Sequence, residues 1–92
     1  MKTTLFHVVS PPMQNADTLK EMLENGANPN VQCRFGWTPL MYACTHGCLS
    51  SVRLLLAHGA NVCLRNKAGN IAIDLAEHNN HYDIVVVMNE HK

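Results

Sequence analysis

The chain has 92 residues and a mass of 10.2 kDa, which suits one small domain over residues 1–92 and excludes a two-domain enzyme. With 47% hydrophobic residues, 15% charged residues and a formal net charge of zero, the composition excludes a disordered chain and a general polyanion binder. Because aromatic residues are scarce, at 5%, the core must be built from aliphatic side chains and methionine, which favours helices.

The charges are distributed unevenly along the chain. Between Asn25 and Ile73 there is no Asp or Glu, and this stretch carries four positive charges, on Arg34, Arg53, Arg65 and Lys67. The segments before and after it have more acidic than basic residues. Such sparse positive charge does not predict a nucleic-acid surface, which needs a dense stripe of Lys and Arg. We expect instead a protein partner that presents an acidic segment.

Membrane, secretion and metal signals are absent from the sequence. No stretch approaches the roughly 20 apolar residues of a membrane span, and the apolar run within residues 1–9 is too short for a signal peptide. The cysteines match no disulfide framework and no zinc-finger spacing. We therefore expect reduced thiols, an intracellular location in cytoplasm or nucleus, and neither cofactor nor metal. The cysteines are Cys33, Cys44, Cys48 and Cys63.

In chain order, the sequence repeats itself with a period of 33 residues. Residues 24–28 recur as 57–61, and Gly36, Leu40 and Ala43 recur as glycine, isoleucine and alanine 33 positions later. Near the amino end the offset is 35, with the extra residues around Ser10-Pro11-Pro12, which should shorten the first helix because proline cannot continue a helix. A period between 20 and 50 residues is typical of stacked repeats.

Within each period, the residues predict a helix, a turn, a second helix and a projecting loop. Thr38 before Pro39 predicts a capped helix start, and Gly47 predicts its end. A second helix is predicted from about Leu49 to His58, with a buried stripe at the spacing of one helix face. That stripe is Val52, Leu55 and Leu56, and Gly59 should end the helix.

These residues resemble the ankyrin repeat: Gly36-Trp37-Thr38-Pro39-Leu40, Ala43, His46-Gly47, Val52, Leu55-Leu56 and Gly59-Ala60-Asn61. The resemblance implies an all-α solenoid of stacked helix-turn-helix units with projecting β-turn loops. It places repeat one at about 3–29, repeat two at about 30–62, and repeat three, a cap, at about 63–92. The family's loop Asp is replaced by Cys33 and Asn66, so we expect a less rigid loop turn.

The resemblance also implies a protein-protein interaction module, such as an adaptor, inhibitor or targeting piece, without catalysis. Its partners are usually held by the loops and by the concave face of the first helices. Phe35 is expected to contact the partner, whereas Trp37 either contacts the partner or packs on the next loop. The corresponding positions are Gln32, Arg34, Phe35, Trp37, Thr45, His46, Arg65, Lys67, Ala68, Asn70, His78 and Asn79.

Other interpretations compete with this one. A structural role would use self-association through the apolar run of the last helix, which is Ile84, Val85, Val86, Val87 and Met88. An enzyme or metal site would use Cys44, His46 and Cys48, but nothing there suggests an oriented base or an oxyanion site. By resemblance, His46 is expected to support the turn between helices rather than bind a ligand.

Overall fold

A computed structural model describes residues 16–91 of the chain. These residues form five helices and no strands. They are α1 (Ala16–Glu24), α2 (Pro39–His46), α3 (Leu49–Ala57), α4 (Ala72–His78) and α5 (Tyr82–Glu90). The shortened first helix predicted for repeat one, from Thr3 to the Ser10-Pro11-Pro12 segment, lies outside the described residues.

Helix α2 begins and ends at the predicted residues. The Thr38 side-chain oxygen accepts a hydrogen bond from the backbone N–H of Met41 at 3.2 Å, and Pro39 occupies the first turn, where its missing N–H is not needed. Gly47 ends the helix in the left-handed conformation, with φ at 74°, and its N–H donates to the carbonyl of Ala43. The cap and the stop are therefore both supplied by local sequence.

Helix α3 follows after Cys48 and forms the centre of the core. It ends at Ala57, one residue before the predicted end, because His58 is its C-cap. Val52, Leu55 and Leu56 are all buried, which confirms the predicted stripe. Helix α3 contacts α1, α2 and α5, while α2 packs against α4 and α4 packs against α5. The result is two layers, one of α2 and α4 and one of α1, α3 and α5, in which each unit is buried by its neighbours.

Helix α4 begins without the Thr-Pro pair of α2. Instead, Asp74 accepts a hydrogen bond from the backbone N–H of Ile71 through Oδ2 at 3.2 Å. This is the acidic half of a capping box, and it satisfies one of the donors left open at a helix start.

The turn between α2 and α3 is supported by a histidine of the next repeat. Nε2 of His81 lies 3.1 Å from the carbonyl oxygen of Thr45, and the His81 ring covers Gly47 so closely that a Cβ there would lie 2.7 Å from Cε1. His46 is exposed on α2. The prediction that His46 supports this turn is therefore wrong, because His81 fills the space against it.

The apolar run of α5 faces mainly inward. Ile84 is 0% exposed and Met88 is 5% exposed, whereas Val86 is 54% exposed. Val85 and Val87 are partly buried against the core. The predicted self-association strip is thus wrong for Ile84 and Met88, because the helix turns these two side chains towards α3 and α4.

Candidate partner-binding site

Two β-turn loops project from the helices, one in repeat two and one in repeat three. In the first loop, Cys33 N–H donates to the carbonyl of Trp37 at 2.9 Å, and Gly36 N–H donates to the carbonyl of Cys33 at 2.8 Å. The second loop has both bonds between residues 33 positions later, at 3.0 and 2.9 Å. The two loops, residues 32–37 and 65–70, are called the loop edge below.

Asn66 holds the second loop together from inside. Its side chain is buried, and its Oδ1 accepts hydrogen bonds from the backbone N–H groups of Ala68 and Asn70, each at 3.0 Å. An amide oxygen therefore organises this turn with the same acceptor chemistry that a carboxylate would supply. The prediction of a less rigid loop is wrong for repeat three.

Replacing Asn66 with alanine is expected to lower the free energy of unfolding by about 1–3 kcal/mol, because two backbone donors lose their acceptor. Asn66→Asp is the matched control. It keeps an acceptor at the same place and removes Nδ2, which is buried without a hydrogen-bond partner, so its stability at neutral pH should stay within about 1 kcal/mol of wild type. Urea unfolding followed by circular dichroism measures both, and equal losses would contradict the role of Oδ1.

Cys33 occupies the position of Asn66 in the first loop. Burial alone would raise the pKa of the Cys33 thiol, but hydrogen bonds from the backbone N–H groups of Phe35 and Trp37 and from the Tyr42 hydroxyl outweigh it, so the pKa is lowered. The Sγ lies 3.7 Å from the Tyr42 hydroxyl oxygen. In contrast, burial raises the pKa of the Cys44 thiol to about 12.

Alkylation by iodoacetamide at pH 8 should therefore separate the cysteines. We expect exposed Cys63 and half-buried Cys33 to react in the native protein, and Cys33 to reach its thiolate at a lower pH than an ordinary thiol. Cys44 should stay unmodified until the protein unfolds. Peptide mass spectrometry over a pH series measures each rate, and native modification of Cys44 would contradict the packing around it.

The two loops are joined to each other. The backbone N–H of Lys67 donates to the carbonyl of Phe35 at 3.0 Å. Nε2 of Gln32 lies 3.0 Å from the carbonyl oxygen of Gly36 and 3.3 Å from that of Arg65. Gln32 was predicted as a partner contact, and the structure shows it bridging the loops. The loop edge is therefore one connected surface rather than two independent turns.

Phe35 stands at the tip of the first loop. Its side chain is 61% exposed, and the guanidinium carbon of Arg34 lies 5.8 Å from the centre of its ring, within the range of a cation–π contact. In the second loop, Nη1 of Arg65 donates to the carbonyl of Gly69 at 2.6 Å, and Lys67 is exposed. The loop edge thus presents an apolar ring among three positive charges.

A row of aromatic rings continues from the first loop onto α2. The ring centres of Trp37 and Tyr42 are 5.0 Å apart at an interplanar angle of 41°, and those of Tyr42 and His46 are 6.4 Å apart and nearly parallel at 14°. Trp37 is half-buried in this row, so it packs within its own repeat and keeps part of its surface open. We call Trp37, Tyr42 and His46 the aromatic row.

On the neighbouring helix, a hollow lies at the corresponding position. It is lined by Asn70, Asp74, Leu75 and His78. The Thr45 side-chain oxygen, in contrast, is buried and has no hydrogen-bond partner in the described chain. The prediction of Thr45 as a polar partner contact is therefore wrong for its hydroxyl.

The structure thus groups the predicted residues into two adjoining surfaces. Arg34, Phe35, Arg65 and Lys67 lie on the loop edge, while Trp37, His46 and Asn70 lie on the face of α2 and α4 that adjoins it. Tyr42 and Asp74 were missed as site residues. The spacing of Tyr42, four residues before His46 on one helix, is the signal that could have found it.

Metal-binding and membrane features were also examined in the structure. Among residues 16–91, no group of three or more His, Cys, Asp or Glu side chains is placed to hold a metal ion. Within the same residues, no helix has the length and apolar character needed to cross a membrane. All four cysteines are free thiols.

Comparison with known proteins agrees with this architecture. The family model of ankyrin repeats, in three copies, matches residues 5–91. The chain is similar to the ankyrin repeat and LEM domain-containing protein 1 homolog of Caenorhabditis elegans, with 39% identity over 85% of the chain and 11% of that protein. It is also similar to the ankyrin repeat and SOCS box protein 16 of Mus musculus, with 40% identity over 68% of the chain and 14% of that protein.

A third relative is the potassium channel AKT2/3 of Arabidopsis thaliana, with 35% identity over 80% of the chain and 9% of the channel. The chain therefore spans only a small part of the length of the curated relatives it matches. Ankyrin repeats are generally protein-protein interaction modules. The repeat period, the stacked helices, the paired loops and the family match together show that this chain belongs to the ankyrin-repeat family.

Proposed function

We propose that this chain is a reversible protein-binding module, serving as an adaptor, inhibitor or targeting piece, and that its loop edge makes the main contact. The exposed ring of Phe35 carries this proposal. An aromatic side chain that is 61% exposed on a loop fixed by hydrogen bonds to its neighbour has the character of an interface anchor. Aromatic residues and arginine are enriched among the residues that dominate binding energy.

The charges of the loop edge favour an acidic partner segment. Arg34, Arg65 and Lys67 are exposed there, and no Asp or Glu occurs between residues 25 and 73. Because the two loops are already ordered by their mutual hydrogen bonds, little conformational entropy is lost when a partner binds. A few contacts on this surface can therefore give useful affinity.

We further propose that the protein acts inside the cell and without catalysis. Free thiols at all four cysteines support a reducing compartment. Cys44, the buried member of the Cys44-His46-Cys48 group, has a thiol whose pKa is raised to about 12. Such a thiol is not a nucleophile at neutral pH, which argues against the alternative of an enzyme at this locus.

Affinity capture from cell lysate with quantitative mass spectrometry tests the loop edge. The test variant carries Arg34→Glu, Phe35→Ala and Lys67→Glu. The matched control carries Lys20→Glu, Arg53→Glu and Tyr82→Ala, which reverse two exposed charges and remove an equally exposed aromatic ring on the outer helices. Both variants are compared with wild type only after circular dichroism shows equal helicity.

The proposal predicts a set of proteins that wild type and the outer-helix control retain and that the loop variant loses. Their identity would then name the pathway. Retention of the same proteins by all three samples would contradict the loop edge as the binding surface.

Self-association is the alternative function, and exposed Val86 is the observation that favours it. Against it, repeat three is polar at positions where repeat two is apolar and buried. Asp74, Glu77 and Asn89 are exposed, and they lie 33 residues after Met41, Cys44 and Leu56. Light scattering at increasing concentration tests this alternative, which requires a larger species that Val86→Lys abolishes.

A further inference from the structure

The aromatic row lies on the face of α2 and α4 that adjoins the loop edge, called the concave face here. Stacked rings in this row are fixed by packing, since the Tyr42 ring lies between those of Trp37 and His46. The Tyr42 hydroxyl is occupied by the contact with Cys33. The row therefore presents fixed aromatic surface rather than a free hydroxyl group.

A carboxylate faces the same side from the adjacent helix. Asp74 is exposed and lines the hollow together with Asn70, Leu75 and His78. One of its oxygens, Oδ2, accepts a hydrogen bond from the backbone N–H of Ile71. This bond fixes the position of the carboxylate while leaving its negative charge accessible.

The aromatic row and the hollow are within reach of one long side chain. Helices α2 and α4 pack against each other, and packed helices lie about 8–10 Å apart. The period of 33 places Asn70 beside Trp37 and Leu75 beside Tyr42. A side chain that crosses from the row to the hollow would therefore pass over aromatic rings and end at Asp74.

Resting on the proposed protein-binding function, we propose that the partner segment places an arginine side chain between the aromatic row and Asp74, while its acidic side chains contact the loop edge. A guanidinium group both stacks on aromatic rings and forms a paired hydrogen bond with a carboxylate. Lysine offers the charge without the stacking plane. A neutral side chain would leave the charge of Asp74 unpaired beside the bound segment.

Charge complementarity gives the segment this mixed character. The loop edge is basic through Arg34, Arg65 and Lys67, whereas the exposed charge of the hollow is the carboxylate of Asp74. A uniformly acidic segment would suit the first surface and be repelled from the second. The partner is therefore a protein segment with acidic residues and an arginine, rather than an acidic run alone.

Selection from a phage-displayed library of random peptides tests this inference. Immobilised wild type is compared with Asp74→Asn, which keeps an oxygen to accept the Ile71 N–H, and with Glu90→Gln, the matched removal of an exposed carboxylate on α5. A third variant carries Arg34→Glu and Lys67→Glu, and Trp37→Leu tests the stacking surface independently of Asp74.

Peptides selected by wild type and Glu90→Gln should be enriched in both Arg and acidic residues over the unselected library. Asp74→Asn and Trp37→Leu should each lower the arginine enrichment, by about 5-fold, and keep the acidic enrichment. The loop variant should do the reverse. Selected peptides that are acidic but lack arginine, or arginine enrichment unchanged by Asp74→Asn and Trp37→Leu, would overturn the inference and leave the proposed function standing. Failure of wild type to select any peptide above blank support would count against both.

Discussion

Replacing Ile84 with alanine is expected to lower the free energy of unfolding by about 2–5 kcal/mol, the range for truncating a buried aliphatic side chain. Ile84 is 0% exposed on α5, which packs against α3 and α4. Each repeat is stabilised only through its neighbours, so the loss should spread to the whole array. A three-repeat array has little stability to spare, and the variant should be largely unfolded at 37 °C.

Val86→Ala is the matched control on the same helix. Its side chain is 54% exposed, so the same kind of truncation should change stability by no more than about 0.5 kcal/mol. Urea unfolding monitored by circular dichroism gives both values. Similar losses at the two positions would mean that α5 is rotated about its axis relative to the structure described here.

Replacing Gly36 with alanine is expected to destabilise the protein by about 2–5 kcal/mol, through backbone strain and overpacking together. Its φ is 78°, in the left-handed region that a Cβ disfavours. An added Cβ would also lie 3.0 Å from the Lys67 backbone nitrogen and 3.0 Å from Asn66 Cα. Because both neighbours are backbone atoms, the second loop must move away to make room.

Gly69→Ala separates these two effects. Gly69 has a similar φ of 87°, but a Cβ there meets nothing within 4 Å, so only the backbone strain of about 1–2 kcal/mol applies. Hydrogen exchange of the Lys67 amide, which donates to Phe35, reports on the contact directly. We expect faster exchange in Gly36→Ala and little change in Gly69→Ala. Equal exchange in the two variants would contradict the close contact between loops.

Local signals were enough to predict much of the fold. Thr38, Pro39 and Gly47 determine the bounds of α2 through their own hydrogen bonds and backbone conformations, so the helix could be read from a short segment. The period of 33 then located α3, the loops and the repeat boundaries without knowledge of any contact. The loop position of Phe35 and Arg34 followed from the same period.

Features that depend on packing between repeats could not be predicted in this way. The run from Ile84 to Met88 is apolar throughout, and only the position of α3 and α4 shows which side chains are buried. His81 lies in a polar run, and its contact with Thr45 joins residues 36 positions apart. The aromatic row was missed because Tyr42 was treated as part of the helix rather than as a neighbour of Trp37.

The central claim is that the loop edge, and not the outer helices, binds the partner. The most direct measurement is the dissociation constant of the most enriched captured protein, determined by isothermal titration calorimetry against three samples. These are wild type, the Arg34→Glu, Phe35→Ala, Lys67→Glu variant, and the Lys20→Glu, Arg53→Glu, Tyr82→Ala variant. Interface anchors contribute about 2 kcal/mol or more, so the loop variant should bind at least about 30-fold more weakly, while the outer-helix variant stays within about 2-fold of wild type. Equal affinity of all three, or a selective loss in the outer-helix variant, would contradict the claim.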